Sequence, residues 1–485
     1  MIIYCGIAKK SEWIDAGGLS MASMTVSEFA NEVQGKIWGK NADLSITNIV
    51  TDSRKAREGS LFIALKGEHY DGHHFITKAL EQGAVAALSQ ERPESESLSV
   101  IQVDDCVEAM ARLGRACLRR FPVPVVAITG SVGKTSCKEM IASVLSEKFT
   151  VLKTEGNLNT ETGLPITLYR LTADHQVVVL EMGMQGLGEI AHLTRIAPPD
   201  FAAVTNILGV HLERLGSLEA IAQAKAEIFQ GLKANGTAFF REEESWKDYL
   251  ISFCRGEYIT YGLSNQSDVY ADNLQSLGLH GSTFTLHLPH GNKIVAQIGL
   301  PGKHMVENAC LAAAIGYQMG LDEKEIVKGL GRVTAQKQRN QWLRLKGDRL
   351  ILNDCYNSSP ISLQAALDLI KENKETRTQV AVLGDMRELG DREVEEHKII
   401  GERLSKEEYD LLITKGSLAN ITGQTFSELR NLGLRHWHTN ENKEIINLLL
   451  EKVPEHSIVL IKGSRSLGLE EIAEQLIAFW GEQYE

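Results

Sequence analysis

The sequence predicts an α/β protein of three domains, its mostly parallel sheets covered by helices on both faces. Three observations carry that expectation. The chain has 485 residues, and domains run to roughly 150 residues each. Along most of its length short apolar runs alternate with amphipathic stretches, the pattern of buried parallel strands and crossover helices. A glycine-rich loop also stands between one such run and the helix after it, where mononucleotide-binding folds hold phosphates.

Composition narrows the function classes. Hydrophobic residues make up 43% and charged residues 24% of the chain, values of an ordinary globular protein. Lys plus Arg is 51 against 63 Asp plus Glu, a formal charge of −12, which argues against a nucleic-acid partner. Seven cysteines (Cys5, Cys106, Cys117, Cys137, Cys254, Cys310, Cys355) are scattered, odd in number and never paired as CxxC. They predict a reducing compartment, without a disulfide framework or a zinc knuckle. No window reaches 18 apolar residues, so no membrane span is expected. The first twenty residues carry Glu12 and Asp15 and lack the apolar core of a signal peptide. The expectation is a cytoplasmic chain, acting as a monomer.

In chain order, residues 1–23 read as an extension and 24–105 as the first domain. A seam lies before Cys106–Arg120, a predicted helix that leads into the strand Val123–Thr129 and the helix Lys134–Phe149. Strands follow at Gln176–Glu181 and Phe201–Asn206, then a helix at Glu219–Leu232. Ser282–Leu300 departs from the pattern, alternating at period two around His290-Gly291, and predicts a hairpin. A second seam falls near Gly331–Gln338, which makes 106–334 the central domain and 335–485 the last. There the expected order is strand Arg349–Asp354, helix Ile361–Lys371, strands Gln379–Gly384, Tyr409–Thr414 and Ser457–Ile461, and helix Leu467–Ala478.

The chemistry starts at Ile128-Thr129-Gly130-Ser131-Val132-Gly133-Lys134-Thr135. Glycines let backbone N–H groups curl round phosphates, and the helix start adds positive potential. Lys134 reaches the outer phosphates, and the Thr135 hydroxyl suits Mg²⁺. Residue 128 is Ile where the strict GxxxxGK[ST] pattern has Gly, so this is a shortened GxxGKT form. Gly130, Ser131, Val132, Gly133, Lys134, Thr135 and Ser136 are the predicted ATP contacts. Glu181 is expected at the carboxyl end of its strand, where ligands of open α/β sheets bind. His211 follows just beyond another strand end, and Lys225 lies in the helix containing Ala224-Lys225-Ala226-Glu227.

GSVGKTSCKEM, EMGMQGLGEIAHLTRIAPPD and TNILGVHLERLGSLEAIAQAKAEIF together resemble the central domain of the Mur ligases, ATP-dependent amide-forming enzymes of peptidoglycan synthesis. The resemblance implies that Glu181 and His211 bind magnesium, two Mg²⁺ ions being expected with ATP, and that Lys225 is carbamylated. PGKHMVENACLAA is similar to a segment whose last Asn, here Asn308, contacts adenine. Met305 stands where that segment often has Asn. By the same resemblance Arg339 faces the phosphates and Asp354 the nucleotide ribose.

The terminal domains speak to the substrates. LNDCYNSSPISLQAAL, VLGDMRELG and IKGSRSLGLE resemble the branch of the family that adds D-alanyl-D-alanine to UDP-N-acetylmuramoyl-tripeptide. Against the usual DDSYNANP, Asp354, Tyr356, Asn357 and Pro360 are kept, while Asn353, Cys355, Ser358 and Ser359 differ. VTDSRKAREGSLFIALKGEHYDG resembles the family's uridine-nucleotide domain, placing Ser53 and Arg54 at the nucleotide-sugar. GNLNTETGLPITL places Asn157, Asn159 and Thr160 on the muramyl-peptide side, with Tyr356 and Asn357 also toward substrate. The implied reaction joins the two substrates through an acyl phosphate. Other readings are a sister ligase adding a diamino acid, which would carry a DNPR-like segment not found here, and folylpolyglutamate synthetase, which lacks this N-terminal domain. A P-loop protein of another class would share only the GKT loop.

Overall fold

Val125–Thr129, Val177–Glu181 and Ser457–Lys462 are buried at every position, as strands inside a doubly covered parallel sheet must be. They belong to a computed structural model that describes residues 24–67, 70–93, 95, 98–430 and 435–481. The predicted extension, residues 1–23, lies outside the described residues. The chain divides into two compact units. One gathers the described part of Met1–Val126 with Phe149–Met182 and His192–Pro199; the other gathers Ala127–Lys148, Gly183–Ala191 and the described part of Asp200–Glu485.

In the first unit a five-stranded sheet runs in the order Lys36–Trp38, Val100–Gln102, Ala84–Ser89, Ser60–Ile63, Asn48–Val50. Only its Lys36–Trp38 edge is antiparallel. Cys106–Arg120 is a helix over its predicted span, begun by Asp105, whose side chain accepts from the N–H groups of Val107 and Glu108. Such a cap satisfies donors that the first turn leaves over. Val177–Glu181 pairs in parallel with Val151–Lys153, Val177 opposite Val151.

The second unit holds two sheets. In one, Phe201–Val204, Thr237–Arg241, Glu257–Gly262 and Val269–Ser276 follow one another in parallel. The antiparallel strands Ser282–His287 and Lys293–Ile298 extend it, closing the predicted hairpin. The other sheet has the order Gln341–Leu345, Arg349–Asn353, Ser457–Lys462, Thr378–Gly384, Leu411–Lys415, His436–His438. Its side chains alternate between two cores. Leu350, Leu352, Ala381, Leu383, Ile458 and Leu460 enter one, while Ile351, Val380, Val382, Val459 and Ile461 enter the other. Period two therefore buries both faces. The first pair, Gln341–Leu345 with Arg349–Asn353, is an antiparallel edge that the sequence does not announce.

Several elements end earlier than their periodicity predicts, the helix expected to Leu232 stopping at Gln230 among them. The helix after the phosphate loop ends at Leu145 rather than Phe149, where Ser146 turns its hydroxyl back onto the Ala142 carbonyl at 2.6 Å. The strand from Phe201 ends at Val204, which frees Thr205 and Asn206 for the loop beside it. Among the described residues no helix is long and apolar enough to cross a membrane.

Candidate active site

The phosphate loop follows from its glycines. Gly130 has φ 149° and Gly133 φ 82°, backbone states that L side chains avoid. A Cβ on Gly130 would lie 1.9 Å from the Thr205 hydroxyl oxygen. Gly133 starts the helix Lys134–Leu145, and Thr135 and Ser131 are buried. The Lys134 ammonium donates to the carbonyls of Gly130 (2.7 Å) and Ser131 (3.2 Å).

Residues 205–208 brace the loop. Val132 N–H donates to Asn206 Oδ1 at 3.0 Å, and Asn206 Nδ2 donates to the Val132 carbonyl at 3.1 Å. Thr205 Oγ1 donates to that same carbonyl at 2.6 Å. Ser131 N–H donates to the Asn206 carbonyl at 3.0 Å, and its hydroxyl bridges the backbone of Leu208 at 2.9 Å on both sides. Two of the N–H groups expected to face phosphate are thus committed to holding the loop in shape. Asn206 is a site residue that sequence reasoning missed, although it stands just past a strand's carboxyl end.

Asn308 lies by the loop, its side chain 3.8 Å from where a Cβ on Gly133 would be. Its Oδ1 accepts from Cys137 Sγ at 3.0 Å, and Nδ2 approaches Met305 Sδ at 3.9 Å. Ser136 and Arg339 line one small cleft with Glu139 and Asn340.

Lys225 is 1% exposed. Burial, and then the charge of Lys134, push its ammonium well below the ordinary lysine range, because a low-dielectric site disfavours the charged form. It sits in the helix Leu218–Gln230, begun by Ser217. Glu227 of that helix accepts from the N–H groups of Gly188 (2.6 Å) and Ala191 (2.9 Å), around the start of the helix Glu189–Ile196.

His211 precedes the short helix Leu212–Leu215, and its side chain caps nothing there. Its Nδ1 meets the Glu388 carboxylate instead. The imidazole against it holds the Glu388 carboxyl below its ordinary value. Both residues are left-handed, each at φ 66°, a state costing a non-glycine residue about 1–2 kcal/mol. A cavity of about 300 Å³ opens beside them, lined by Leu208, Val210, Leu212, Pro360, Ile361 and Leu389 among others.

In the last sheet, Asp354 accepts from Asn340 N–H at 3.0 Å and from the buried Lys462 ammonium. Lys462 also donates to the Asn357 carbonyl at 3.0 Å. The Tyr356 ring lies 3.7 Å from the Arg339 guanidinium carbon and 4.6 Å from that of Arg465, a cation–π arrangement. Neither arginine has a carboxylate partner among the described residues.

The first unit places the other predicted residues. Glu181 is 3% exposed; its N–H donates to Thr154 Oγ1 at 3.0 Å and its Oε1 accepts from Asn159 Nδ2 at 2.8 Å. Two predicted residues thereby meet. Thr160 Oγ1 accepts from Gly163 N–H at 3.3 Å, and Asn157 is exposed. Ser53 is buried, whereas the Arg54 side chain is 80% exposed and forks onto Asp52 at 3.0 and 2.9 Å. That hydrogen bonding holds Asp52 down to about 2. No hydrogen bond or ion pair among the described residues joins Ser53 or Arg54 to Asn157, Asn159 or Thr160. Glu388, Lys462 and Arg465 lie inside motif segments of the last domain, yet their sequence context assigns them no role.

Comparison with known proteins supplies the family. The Mur ligase middle-domain model matches residues 128–316, the glutamate ligase domain model 338–465, and the Mur ligase family catalytic-domain model 45–126. A UDP-N-acetylmuramoyl-tripeptide–D-alanyl-D-alanine ligase of Bacillus subtilis is 35% identical over 94% of this chain and 99% of its own. The chain belongs to the Mur ligase family. Among solved Mur ligases, MurF from Acinetobacter baumannii superposes with a TM-score of 0.84 at 28% identity, over 95% of this chain and 100% of that one. MurF of Thermotoga maritima in complex with ADP gives 0.74 at 28%, over 88% and 96%. The three-domain α/β architecture of the Mur ligases is the one the alternating pattern predicts.

Proposed function

We propose that this chain is the ATP-dependent ligase that joins D-alanyl-D-alanine to UDP-N-acetylmuramoyl-tripeptide, in the cytoplasm, releasing ADP and phosphate. One observation carries the reading. Similarity to a ligase of that name runs over 94% of the chain, so it includes both terminal domains as well as the ATP-handling centre. Folds host many activities, and sites decide among them; here the terminal domains, at 24–105 and 335–485 with 106–334 between them, hold the two substrates other than ATP.

In the reaction, a tripeptide carboxylate oxygen bonds to the γ-phosphorus of ATP as the bond to ADP breaks. The dipeptide amine then attacks the acyl carbon, phosphate leaves, and the amine loses a proton. Charge gathers on phosphoryl and then acyl oxygens, so fixed positive groups dominate the acceleration. Lys134 supplies one, from a loop held in shape by Asn206 and Thr205. Glu181 and Thr135 offer carboxylate and hydroxyl oxygens of the kind Mg²⁺ accepts, His211 would add an imidazole nitrogen beside them, and Asn159 orients Glu181. Mg²⁺, when bound, neutralises phosphate charge. Lys225 is suited to carbamylation because its burial favours the neutral amine: nitrogen bonds to the carbon of CO₂ and a proton leaves, turning a cation into an anionic acceptor.

The test is ADP release coupled to UDP-N-acetylmuramoyl-tripeptide, comparing D-alanyl-D-alanine with single amino acids including diaminopimelate. The expected result is release driven by the dipeptide alone. Equal or better stimulation by a single amino acid would overturn the reading.

A further inference from the structure

We propose that Glu388 is the positioning residue for His211. By holding Nδ1 it leaves Nε2 as the nitrogen that faces a divalent metal ion, and so ties the seating of the C-terminal domain to metal binding in the centre. The inference rests on the proposed role of His211 in binding Mg²⁺.

The contact joins two different domains: His211 falls in the span matched by the middle-domain model, and Glu388 in that matched by the glutamate ligase domain model. An exposed ion pair would mean little, since most such pairs contribute almost nothing. This one differs in three respects. The His211 side chain is only 19% exposed. It makes no capping bond to the helix it precedes, so its ring is left to Glu388. Both partners adopt left-handed backbone, which persists in non-glycine residues where surrounding structure enforces it and which clusters at functional sites.

The neighbourhood keeps the pair in register. Gly390, at φ 59°, packs so that a Cβ there would touch Glu213 Cα at 3.5 Å, and Leu389 shares a cavity wall with Leu212. The nearby Arg387 is turned to Asp385 at 3.9 Å, and Arg214 adds positive charge near Glu388. Metal-binding imidazoles generally donate their second ring N–H to a carboxylate, which fixes tautomer and ring orientation, and losing that partner costs about 10- to 100-fold in metal affinity or activity.

The experiment uses the full chain with ADP present and Mn²⁺ as the probe, binding being read by electron paramagnetic resonance. Glu388→Ala should raise the Mn²⁺ dissociation constant about 10- to 100-fold without moving Tm. Glu388→Gln, which keeps an acceptor oxygen, should recover part of the loss. In a His211→Ala background, Glu388→Ala should cost nothing further, because the two act as one unit. Kinetically kcat should fall while KM for the uridine substrate holds. Mn²⁺ affinity within twofold of wild type in Glu388→Ala, or a loss that adds in full to that of His211→Ala, would overturn the proposal. A wild-type chain that binds no Mn²⁺ would overturn it together with the metal role of His211. Failure to ligate D-alanyl-D-alanine would fall on the functional reading alone, leaving the Mn²⁺ measurement standing.

Discussion

Replacing Asn206 by alanine tests how the phosphate loop is held. The change removes both side-chain bonds to Val132, its N–H losing an acceptor at 3.0 Å and its carbonyl losing a donor at 3.1 Å. The carbonyl keeps Thr205 Oγ1 at 2.6 Å; the N–H keeps nothing. An orphaned N–H away from water costs about 1–3 kcal/mol, and a lost bond to an oxygen still served costs about 1 or less. The loop conformation should therefore lose about 2–3 kcal/mol, a factor of about 30 to 150 in its population. Part of that is absorbed by whatever margin the loop starts with, so the expected rise in the ATP dissociation constant is at least about tenfold. Thr205→Val is the comparator: it strips one of two donors from one oxygen and should cost a few-fold at most. Isothermal titration with a non-hydrolysable ATP analogue reads both variants, and thermal melting checks the fold. ATP affinity within twofold of wild type in Asn206→Ala, at unchanged Tm, would refute the idea that this amide pre-shapes the loop.

Lys225→Ala should be nearly inactive and regain part of its turnover with added acetate, whereas Lys225→Arg should not; wild-type turnover in either variant would remove the carbamate. Arg54→Ala should raise KM for the uridine substrate and leave KM for ATP unchanged, and a selective loss of ATP affinity would show the N-terminal domain misassigned. Burial depresses His304, His397 and His436, the last to about 4 with His438 contributing. The unfolded chain then takes up protons near 6.5 that the folded one refuses, so stability is intact above about 6.5 and declines as pH falls toward about 4. Melting temperatures across that window should fall less steeply in His436→Gln, and identical slopes in the two proteins would count against that histidine.

Features local in sequence were legible and features made by folding were not. The phosphate loop reads from six consecutive residues because its glycines, lysine and threonine act through their own backbone. Strands such as Val177–Glu181 read because every position is apolar or β-branched except the last, which carries Glu181 to the sheet's end. Asn206 acts on a residue 74 positions away, and a TN pair after a strand carries no trace of its partner. Lys462 reads as one more residue of an apolar strand end until folding sets it against Asp354, 108 positions earlier. Arg339 is expected toward phosphate; its ring partner Tyr356 stands two strands on, past the end of Arg349–Asn353. The helix from Lys134 closes early through i→i−3 bonds, Glu147 N–H to the Val144 carbonyl and Lys148 N–H to that of Leu145, and periodicity does not register such local bonds.

The arrangement around Tyr356 bears on how the last domain can be cut free. Arg339 approaches the ring from the segment before the strand Gln341–Leu345, while Arg465 comes from the turn after Ser457–Lys462. The same lead-in segment gives Tyr356 N–H its acceptor, the Gln338 carbonyl at 3.1 Å, and gives Asp354 the Asn340 N–H. A protease nicking at residue 335 would release a piece with that lacing complete. A nick after 340, five residues on and still ahead of every core strand, would leave the hydrophobic sheet whole but unlace the turn at its edge, so the fragment should fold yet lose the fixed ring. Tyrosine fluorescence and nitration of the two fragments would then differ although their secondary structure would not.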